Sequence, residues 1–488
     1  MDAASRPRGV RAAGRAAAPS DHTHPRGAPV SGTQFDLVIL GGGSGGYAAA
    51  LRGAQLGLSV ALIEKDKVGG TCLHYGCIPT KALLHAAEVA DAARESEQFG
   101  VRATLEGIDV PQVTTYREGV VARLYKGLQG LVKSRGITVV AGAGRLTSPT
   151  TVDVEGTTYT ATRAVVLATG SYARTLPGLE IGGRVITSYE ALNLDHVPSS
   201  VVVLGGGVIG VEFASVWRSF GAEVTIVEAL PRLVPNEDEA CSKALERAFR
   251  KRGITSHVGA RFAGVKQTDS GVVVSLENGT TLEADYLMVA VGRGPSASGM
   301  GYEEVGVAMD RGFVLTDERL RTNVHGVYAV GDIVPGLQLA HRGFQQGIFV
   351  AEEVAGLAPH VIDEAGIPRV TYCDPEVASV GLTQAQAVEK YGADAVETYE
   401  YNLGGNGKSQ ILGTAGFVKL VRHKEGPVVG VHMVGARVGE LIGEGQLVVN
   451  WEAYPEDVAS LVHAHPTQNE AFGEAFLALA GKPLHSHS

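Results

Sequence analysis

Two thiols and an amine stand close together in the run Gly69-Gly70-Thr71-Cys72-Leu73-His74-Tyr75-Gly76-Cys77-Ile78-Pro79-Thr80-Lys81. A thiol pair can exchange with a disulfide and carry two electrons, and a cation beside it favours the reactive thiolate. The run opens a stretch that reads as one helix on through Ala82 to Arg94. Positions five apart in a regular α-helix are separated by about 7.5 Å of rise and lie on different faces. A disulfide needs Cα atoms within about 7 Å of each other. Pairing of Cys72 with Cys77 therefore requires distorted first turns, for which Gly76 and Pro79 are suited. The competing reading is two unrelated thiols near a helix start.

A second constellation is Val462-His463-Ala464-His465-Pro466-Thr467-Gln468-Asn469-Glu470. A carboxylate such as Glu470 that orients His465 and supports its protonated form follows the logic of a general base. Pro466 makes a cis bond possible. Taken alone, the run reads first as a surface histidine cluster and only second as a base.

The elements that must position these groups announce themselves by glycine. Phe35 to Leu40 reads as a buried strand running into Gly41-Gly42-Gly43-Ser44-Gly45-Gly46, then a helix from Tyr47 to Leu56 and a strand from Ser59 to Ile63 ending at Glu64. This is G-x-G-x-x-G after a strand and opening a helix, with an acid about 20 residues on, the context of a dinucleotide site. Glycines let backbone N–H groups approach a pyrophosphate at the helix N-terminus, and the acid accepts from a ribose. The unit recurs: Val201 to Leu204, Gly205-Gly206-Gly207-Val208-Ile209-Gly210, a helix to about Phe220, and a strand from Glu223 to Val227 ending at Glu228. Two such units imply two dinucleotides. Glu228 with Ala229 disfavours a 2′-phosphate and so prefers NAD over NADP, while Arg232 nearby argues the other way.

Between the units lie a helical stretch, Gln112 to Ser134, and β-rich sequence with Gly142-Ala143-Gly144 and Val165-Val166-Leu167-Ala168-Thr169-Gly170-Ser171. After the second unit come Val289-Ala290-Val291-Gly292-Arg293 and Val327-Tyr328-Ala329-Val330-Gly331-Asp332, each a strand ending in a glycine turn. Asp332 reads equally as a helix cap. From about Pro368 strands and helices alternate with no further glycine fingerprint, a third, α+β region.

Composition sets the bounds. A chain of 488 residues holds two to four domains, and a net charge of −10 argues against nucleic acid as a main partner. No apolar run reaches the length that spans a bilayer; Val201 to Val211 stops at Glu212. Four cysteines, Cys72, Cys77, Cys241 and Cys373, exclude a secreted disulfide scaffold and fit a reducing, cytoplasmic setting with any disulfide catalytic. No metal site is expected. Residues 1–33, rich in Ala, Gly, Pro, Ser and Arg, read as a disordered extension. Their composition also fits a transit peptide or a start codon placed too far upstream.

Together these motifs resemble the flavoprotein disulfide reductases, and within them the dihydrolipoamide dehydrogenases, from Phe35 to about Lys482. The most specific matches are Gly69 to Lys81 and His463 to Glu470. The resemblance implies an α/β fold with two Rossmann-like dinucleotide-binding domains, for FAD and NAD, and a C-terminal α+β dimerisation domain. The implied boundaries are 34–173 for FAD, 174–295 for NAD, 296–364 for a central segment completing the FAD site, and 365–488 for the interface. It further implies Cys72 as the cysteine that exchanges with substrate, Cys77 as the thiolate facing the flavin, and Lys81 beside the flavin and paired with Glu212. His465, buttressed by Glu470, would be the base, reaching across a homodimer into the partner's disulfide site. Gly41, Gly43, Ser44, Gly45, Gly46, Glu64, Gly70, Thr71, Gly144, Thr169, Gly170, Ser171, Asp332 and Ala340 match FAD-contacting positions. Gly205, Gly206, Gly207, Val208, Ile209, Glu228, Ala290, Val291, Gly292 and Arg293 match NAD-contacting ones.

The implied activity is oxidation of protein-bound dihydrolipoamide with NAD⁺, with lipoyl domains and the acyltransferase core of a 2-oxo acid dehydrogenase complex, or the glycine cleavage system, as partners. A reductase for a low-molecular-weight disulfide working from NAD(P)H is the alternative, opposed by Glu228 and the His-Ala-His-Pro-Thr run. The stretch after Ala340-His341, Arg342-Gly343-Phe344-Gln345-Gln346-Gly347, departs from the common pattern of lysine, alanine and an acid.

Overall fold

The computed structural model describes residues 33–485; the extension expected over 1–33 therefore lies outside the described residues but for Thr33. Gln34–Leu40 is the central strand of the first sheet, and Leu37, Val38 and Ile39 are wholly buried. An unbroken apolar run rather than an alternating one is what a parallel strand covered on both faces requires. Val60–Glu64 lies on one side of it and Thr157–Leu167 on the other, both parallel. Thr138–Ala141 extends the sheet at one edge and the antiparallel strands Thr151–Val154 and Gly144–Ser148 at the other.

The second sheet repeats the plan. Its order is Ile254–Val258, Glu223–Glu228, Ser200–Leu204, Tyr286–Val289 and Val185–Ile186, all parallel. A small antiparallel sheet, Phe262–Gln267, Val272–Leu276 and Thr281–Ala284, is inserted before its return strand. Arg293–Pro295 then pairs with Ser171–Ala173, joining the exits of the two large sheets. The chain goes back to the first sheet: Val327–Ala329 pairs with Thr157–Leu167, and the helix Ala340–Val354 packs on Ser44–Gln55. There Gly347 permits contact at backbone distance, since a Cβ on it would stand 2.2 Å from Gly45 O.

A third, wholly antiparallel sheet runs in the order Arg369–Thr371, Glu376–Gly381, Val428–Gly435, Phe417–His423 and Val396–Asn402. The helices Val438–Asn450 and Glu470–Leu479 cover it, burying Phe472 and Phe476 completely. Two X–Pro bonds are cis, Asp374–Pro375 and His465–Pro466. Among the described residues no helix is long and apolar enough to cross a membrane.

The expected single helix from the thiol run to Arg94 is two. Gly70–His74 is a short helix, the chain breaks at Tyr75 and Gly76, and Cys77–Arg94 starts anew. Of the two residues suited to distort these turns, only Gly76 lies in the break. Pro79 does not distort anything: it occupies the first turn of the second helix, where its missing N–H has no partner to lose.

Candidate active site

Each glycine helix begins without a cap. Gly43 precedes Ser44–Gln55 and Gly207 precedes Val208–Phe220; neither helix has a side-chain cap or an acid in its first turn. Four N–H groups at each end thus have no intrahelical partner and carry the positive end of the helix dipole. A Cβ on Gly43 or Gly207 would meet nothing within 4 Å, so open space lies over both termini. The flanking glycines answer a different need. A Cβ would stand 2.2 Å from Ala168 O at Gly41 (φ +107°) and 1.8 Å from Gly41 O at Gly46. The second unit repeats this, with 2.4 Å to Ala290 O at Gly205 and 1.9 Å to Gly205 O at Gly210.

The acids close both loops alike. Glu64 accepts from Gly42 N at 2.7 Å and Asp66 N at 2.9 Å, and Glu228 accepts from Gly206 N at 2.6 Å and Leu230 N at 2.7 Å. Each carboxylate is fixed beside its glycine loop with further lone pairs free for a ribose. Arg232 is turned away from that position, its Nη2 donating to the carbonyls of Pro235 and Glu237.

The thiol run lies across the first glycine loop. Gly69 N donates to Gly42 O at 2.8 Å, and Gly70 (φ +57°) stands so near that a Cβ would reach Gly43 Cα at 2.7 Å. The break at Gly76 brings Cys72 and Cys77 together as hydrogen-bonded free thiols. The two are made unequal. Cys77 is lowered to about 7, first by the hydrogen bond from Cys72 and, against its burial, by the Lys81 charge. Cys72 keeps the shared proton and is pushed up by that bond and by burial. Lys81 Nζ donates to both oxygens of Glu212 at 2.9 Å. Burial works against the ammonium, but the Glu212 carboxylate outweighs it and holds Lys81 above its ordinary value.

Beside the thiols, Arg293 donates from Nε to Ser171 Oγ and from Nη2 to Ser171 O, each at 2.8 Å, and Ser171 Oγ donates to Asp332. Asp332 does not cap a helix: Val330 holds that position before the turn Gly331–Ile333. Arg293 therefore contacts the first sheet's exit although it stands at the second sheet's exit.

One continuous cavity of about 2790 Å³ takes in Cys72, Cys77, Lys81 and Glu212, the open Gly43–Gly45 and Gly207–Ile209 termini, Gly170, Ser171, Glu228, Ala290–Arg293, Asp332 and Ala340. That exceeds the several hundred cubic ångströms of an ordinary ligand pocket. Uncapped termini, open glycine faces and two anchored acids fit a pair of dinucleotides, FAD at the first unit and NAD at the second. Gly41, Gly46, Glu64, Gly70, Gly144, Thr169 and Gly206 do not line it. Gly144 is buried, where a Cβ would press on Leu40, and Thr169 Oγ1 shares a hydrogen bond of 3.0 Å with the Tyr302 hydroxyl.

His465 and Glu470 are elsewhere. His465 Nδ1 lies 2.7 Å from Glu470 Oε1, and Thr467 N donates to Glu470 Oε2 at 2.7 Å. Slight burial pushes the Glu470 carboxyl up, but these two partners outweigh it and hold it below its usual range. The His465 side chain is 78% exposed and does not line the thiol cavity of its own chain.

Two contacts of the thiol site carry no motif. The Tyr372 ring lies 4.8 Å from Lys81 Nζ while Tyr372 N donates to Glu212 Oε1 at 3.0 Å. Tyr47, in the first glycine helix, is pushed up to about 12 by burial and then by neighbouring Cys72, and its ring packs on Phe344 at 5.5 Å. Only the departure at Phe344 gave a signal in the sequence.

Residues 35–347 match the family described as pyridine nucleotide-disulphide oxidoreductase, and residues 367–476 match its dimerisation domain. A dihydrolipoyl dehydrogenase of Bacillus subtilis is 40% identical over 93% of this chain and 99% of its own. One from Chlorobaculum tepidum is 41% identical over 91% and 96%. Among solved structures, LpdA of Mycobacterium tuberculosis superposes with a TM-score of 0.85 at 29% identity, covering 92% of this chain and 99% of that one. The HOCl-induced flavoprotein disulfide reductase RclA of Escherichia coli gives 0.82 at 26%, over 91% and 99%. With its paired thiols, two uncapped glycine helices and a dimerisation domain, the chain belongs to the pyridine nucleotide-disulphide oxidoreductase family.

Proposed function

We propose that this protein is a dihydrolipoyl dehydrogenase, oxidising protein-bound dihydrolipoamide to lipoamide and reducing NAD⁺. The observation that carries the reading is the unequal pair Cys72 and Cys77, with Lys81 and Glu212 beside it, in a cavity that opens on both glycine helices. Full-length relatives named dihydrolipoyl dehydrogenase support it.

The residues divide the work as follows. His465 of the partner subunit takes the proton of a substrate thiol, because thiolates and not thiols attack disulfides. In the oxidised enzyme, with Cys72 and Cys77 joined as a disulfide, the thiolate bonds to the sulfur of Cys72, breaking Cys72–Cys77 and leaving Cys77 as a thiolate against the Lys81 charge. The second substrate thiol, deprotonated in turn, attacks the mixed disulfide; the lipoyl ring closes, and Cys72 leaves and takes back a proton. Two electrons now reside on the enzyme's sulfurs. FAD, when bound, supplies the route for that pair to NAD⁺. Glu212 keeps Lys81 charged and aimed. The fixed carboxylate of Glu228 favours a ribose hydroxyl and repels a 2′-phosphate, which selects NAD.

A homodimer follows from this reading, with FAD bound over 34–173 and 296–364, NAD over 174–295, and pairing through 365–488. It would work in a reducing compartment such as the cytoplasm, with the lipoyl domains and acyltransferase core of a 2-oxo acid dehydrogenase complex or with glycine cleavage. Steady-state assay of the purified flavoprotein decides between the readings. Dihydrolipoamide with NAD⁺ should turn over far faster than glutathione disulfide with NADPH, and the reverse preference would overturn the proposal in favour of a low-molecular-weight disulfide reductase.

A further inference from the structure

Lys81, Glu212 and Tyr372 come from three segments: the helix Cys77–Arg94, the helix Val208–Phe220 and the turn between the strands Arg369–Thr371 and Glu376–Gly381 of the third sheet. Farther along the same three segments a single side chain joins them again. Arg252, just after the helix Glu239–Lys251, donates from Nη2 to Asp91 Oδ2 at 3.0 Å and to Ser219 Oγ at 2.8 Å. Its Nη1 donates to Ser215 Oγ and to Asp374 O, each at 2.8 Å. Asp91 lies on the first of the three segments, Ser215 and Ser219 on the second, Asp374 on the third.

The smaller bonds triangulate the same joint. Ser219 Oγ donates to Asp91 Oδ2, Arg94 Nη2 donates to Ser219 O at 2.7 Å, and Asp374 N donates to Ser215 Oγ at 3.0 Å. Glu212, Ser215 and Ser219 follow helical i, i+3, i+7 spacing, so Glu212 and the clamp share one helix face. A guanidinium offers five donors in a rigid plane, which suits it to fix three segments at once. Arg252 is only 18% exposed, a setting in which hydrogen bonds to charged groups hold geometry against water.

We propose that Arg252 is a positioning residue for the Lys81–Glu212–Tyr372 constellation: it fixes the angle between the helix that carries Cys77 and Lys81 and the helix that carries Glu212. It touches none of the reacting atoms. Its effect reaches chemistry through the distance of the Lys81 ammonium from Cys77. The inference rests on the reading of Cys77 as the flavin-facing thiolate.

The test is the pH dependence of the thiolate–flavin charge-transfer absorbance in the FAD-loaded, two-electron-reduced dimer, for wild type, Arg252→Met, Arg252→Lys and Ser219→Ala. In Arg252→Met the proton-dissociation constant of Cys77 should fall about threefold to tenfold as Lys81 is set loose. Arg252→Lys keeps the charge but cannot span four acceptors, and should restore only part of the change. Ser219→Ala alters no charge and should move the midpoint the same way by less; it decides the matter where Arg252→Met does not fold. An unmoved midpoint in Arg252→Met or Ser219→Ala, even with a lowered melting temperature, overturns the proposal and leaves a structural role only. Full restoration by Arg252→Lys traces the shift to charge alone and overturns the clamp as well. Should the wild type show no such absorbance at any pH, the reading of Cys77 itself fails, an outcome distinct from a wild type that titrates together with its variants.

Discussion

Cys77 and Cys72 are chemically alike, and their surroundings make one an anion near neutrality and the other a retained thiol. With Cys77 lowered to about 7 from an ordinary thiol value, its thiolate dominates above neutrality and is protonated as pH falls through that point. The charge-transfer absorbance of the reduced flavoprotein should therefore titrate with a midpoint near pH 7. Lys81→Met removes the cation that opposes desolvation of Cys77 and should move the midpoint upward; an unchanged midpoint would show that the hydrogen bond from Cys72 alone sets it. At the ribose position the same reasoning applies to Glu228. Its charge is held by two backbone N–H groups, so Glu228→Ala should cost NAD⁺ affinity about 1–3 kcal/mol, the penalty for lost hydrogen bonds to a charged acceptor. The KM for NAD⁺ should rise while the flavin spectrum is preserved, and the preference over NADP⁺ should narrow; KM values unaltered for both would mean that the carboxylate serves only its own loop. The residues proposed for these roles were legible because each sits in a local pattern. Cys72, Cys77 and Lys81 lie in one run, and Glu64 and Glu228 end strands that follow their glycine loops. Tyr372 and Arg252 were not, because their partners are brought to them only by the packing of distant segments.

At the scale of elements, glycine does two separate jobs that a sequence pattern merges. Gly43 and Gly207 leave room over helix termini, whereas Gly41, Gly46, Gly205 and Gly210 let backbone approach backbone. The helix Ala340–Val354 shows the second job most plainly. Gly347 meets Gly45 O and Ala49 N of the first glycine helix at distances where a Cβ would stand 2.2 and 2.8 Å away. Neither atom belongs to a side chain that could turn aside. Gly347→Ala should therefore push the two helices apart at a cost of about 1–3 kcal/mol, as overpacking of a close contact does. The open Gly43 terminus moves with its helix, so the variant should also lose flavin, read as absorbance near 450 nm per protein after gel filtration. Full flavin content with an unchanged melting temperature would mean that the helices tolerate the extra methyl. Periodicity revealed the strands and helices of both glycine units because each is specified within a few dozen residues. It did not reveal that the thiol run is two helices. The break at Gly76 is imposed by the thiol run lying over the first glycine loop, a tertiary demand that helix-forming residues on either side conceal.

Across the whole molecule, one chain holds the thiol pair and the His465–Glu470 pair but does not bring them together. His465 is exposed, lies outside the cavity of Cys72, and stands in the region that matches the family's dimerisation domain. An exposed histidine already fixed by a carboxylate is poorly explained as a surface ornament, since Glu470 is spent on it and on Thr467 N. It is well explained if a second copy presents its thiols to it. In a two-fold dimer each contact occurs twice, so on the proposed reading each site would take Cys72 from one subunit and His465 from the other. Cys72→Ser and His465→Gln homodimers should both fail to oxidise dihydrolipoamide, the second by about 10²- to 10⁴-fold as expected for loss of a general base. Both should still pass electrons from NADH to an artificial acceptor, because neither change alters the glycine loops or the acids Glu64 and Glu228. Co-expression of the two variants then separates sites within a chain from sites between chains. If sites are shared, half of the dimers are mixed and each has one intact site, so about a quarter of the wild-type activity should return. If each site were built within one chain, no pairing could restore it and the mixture would stay inactive.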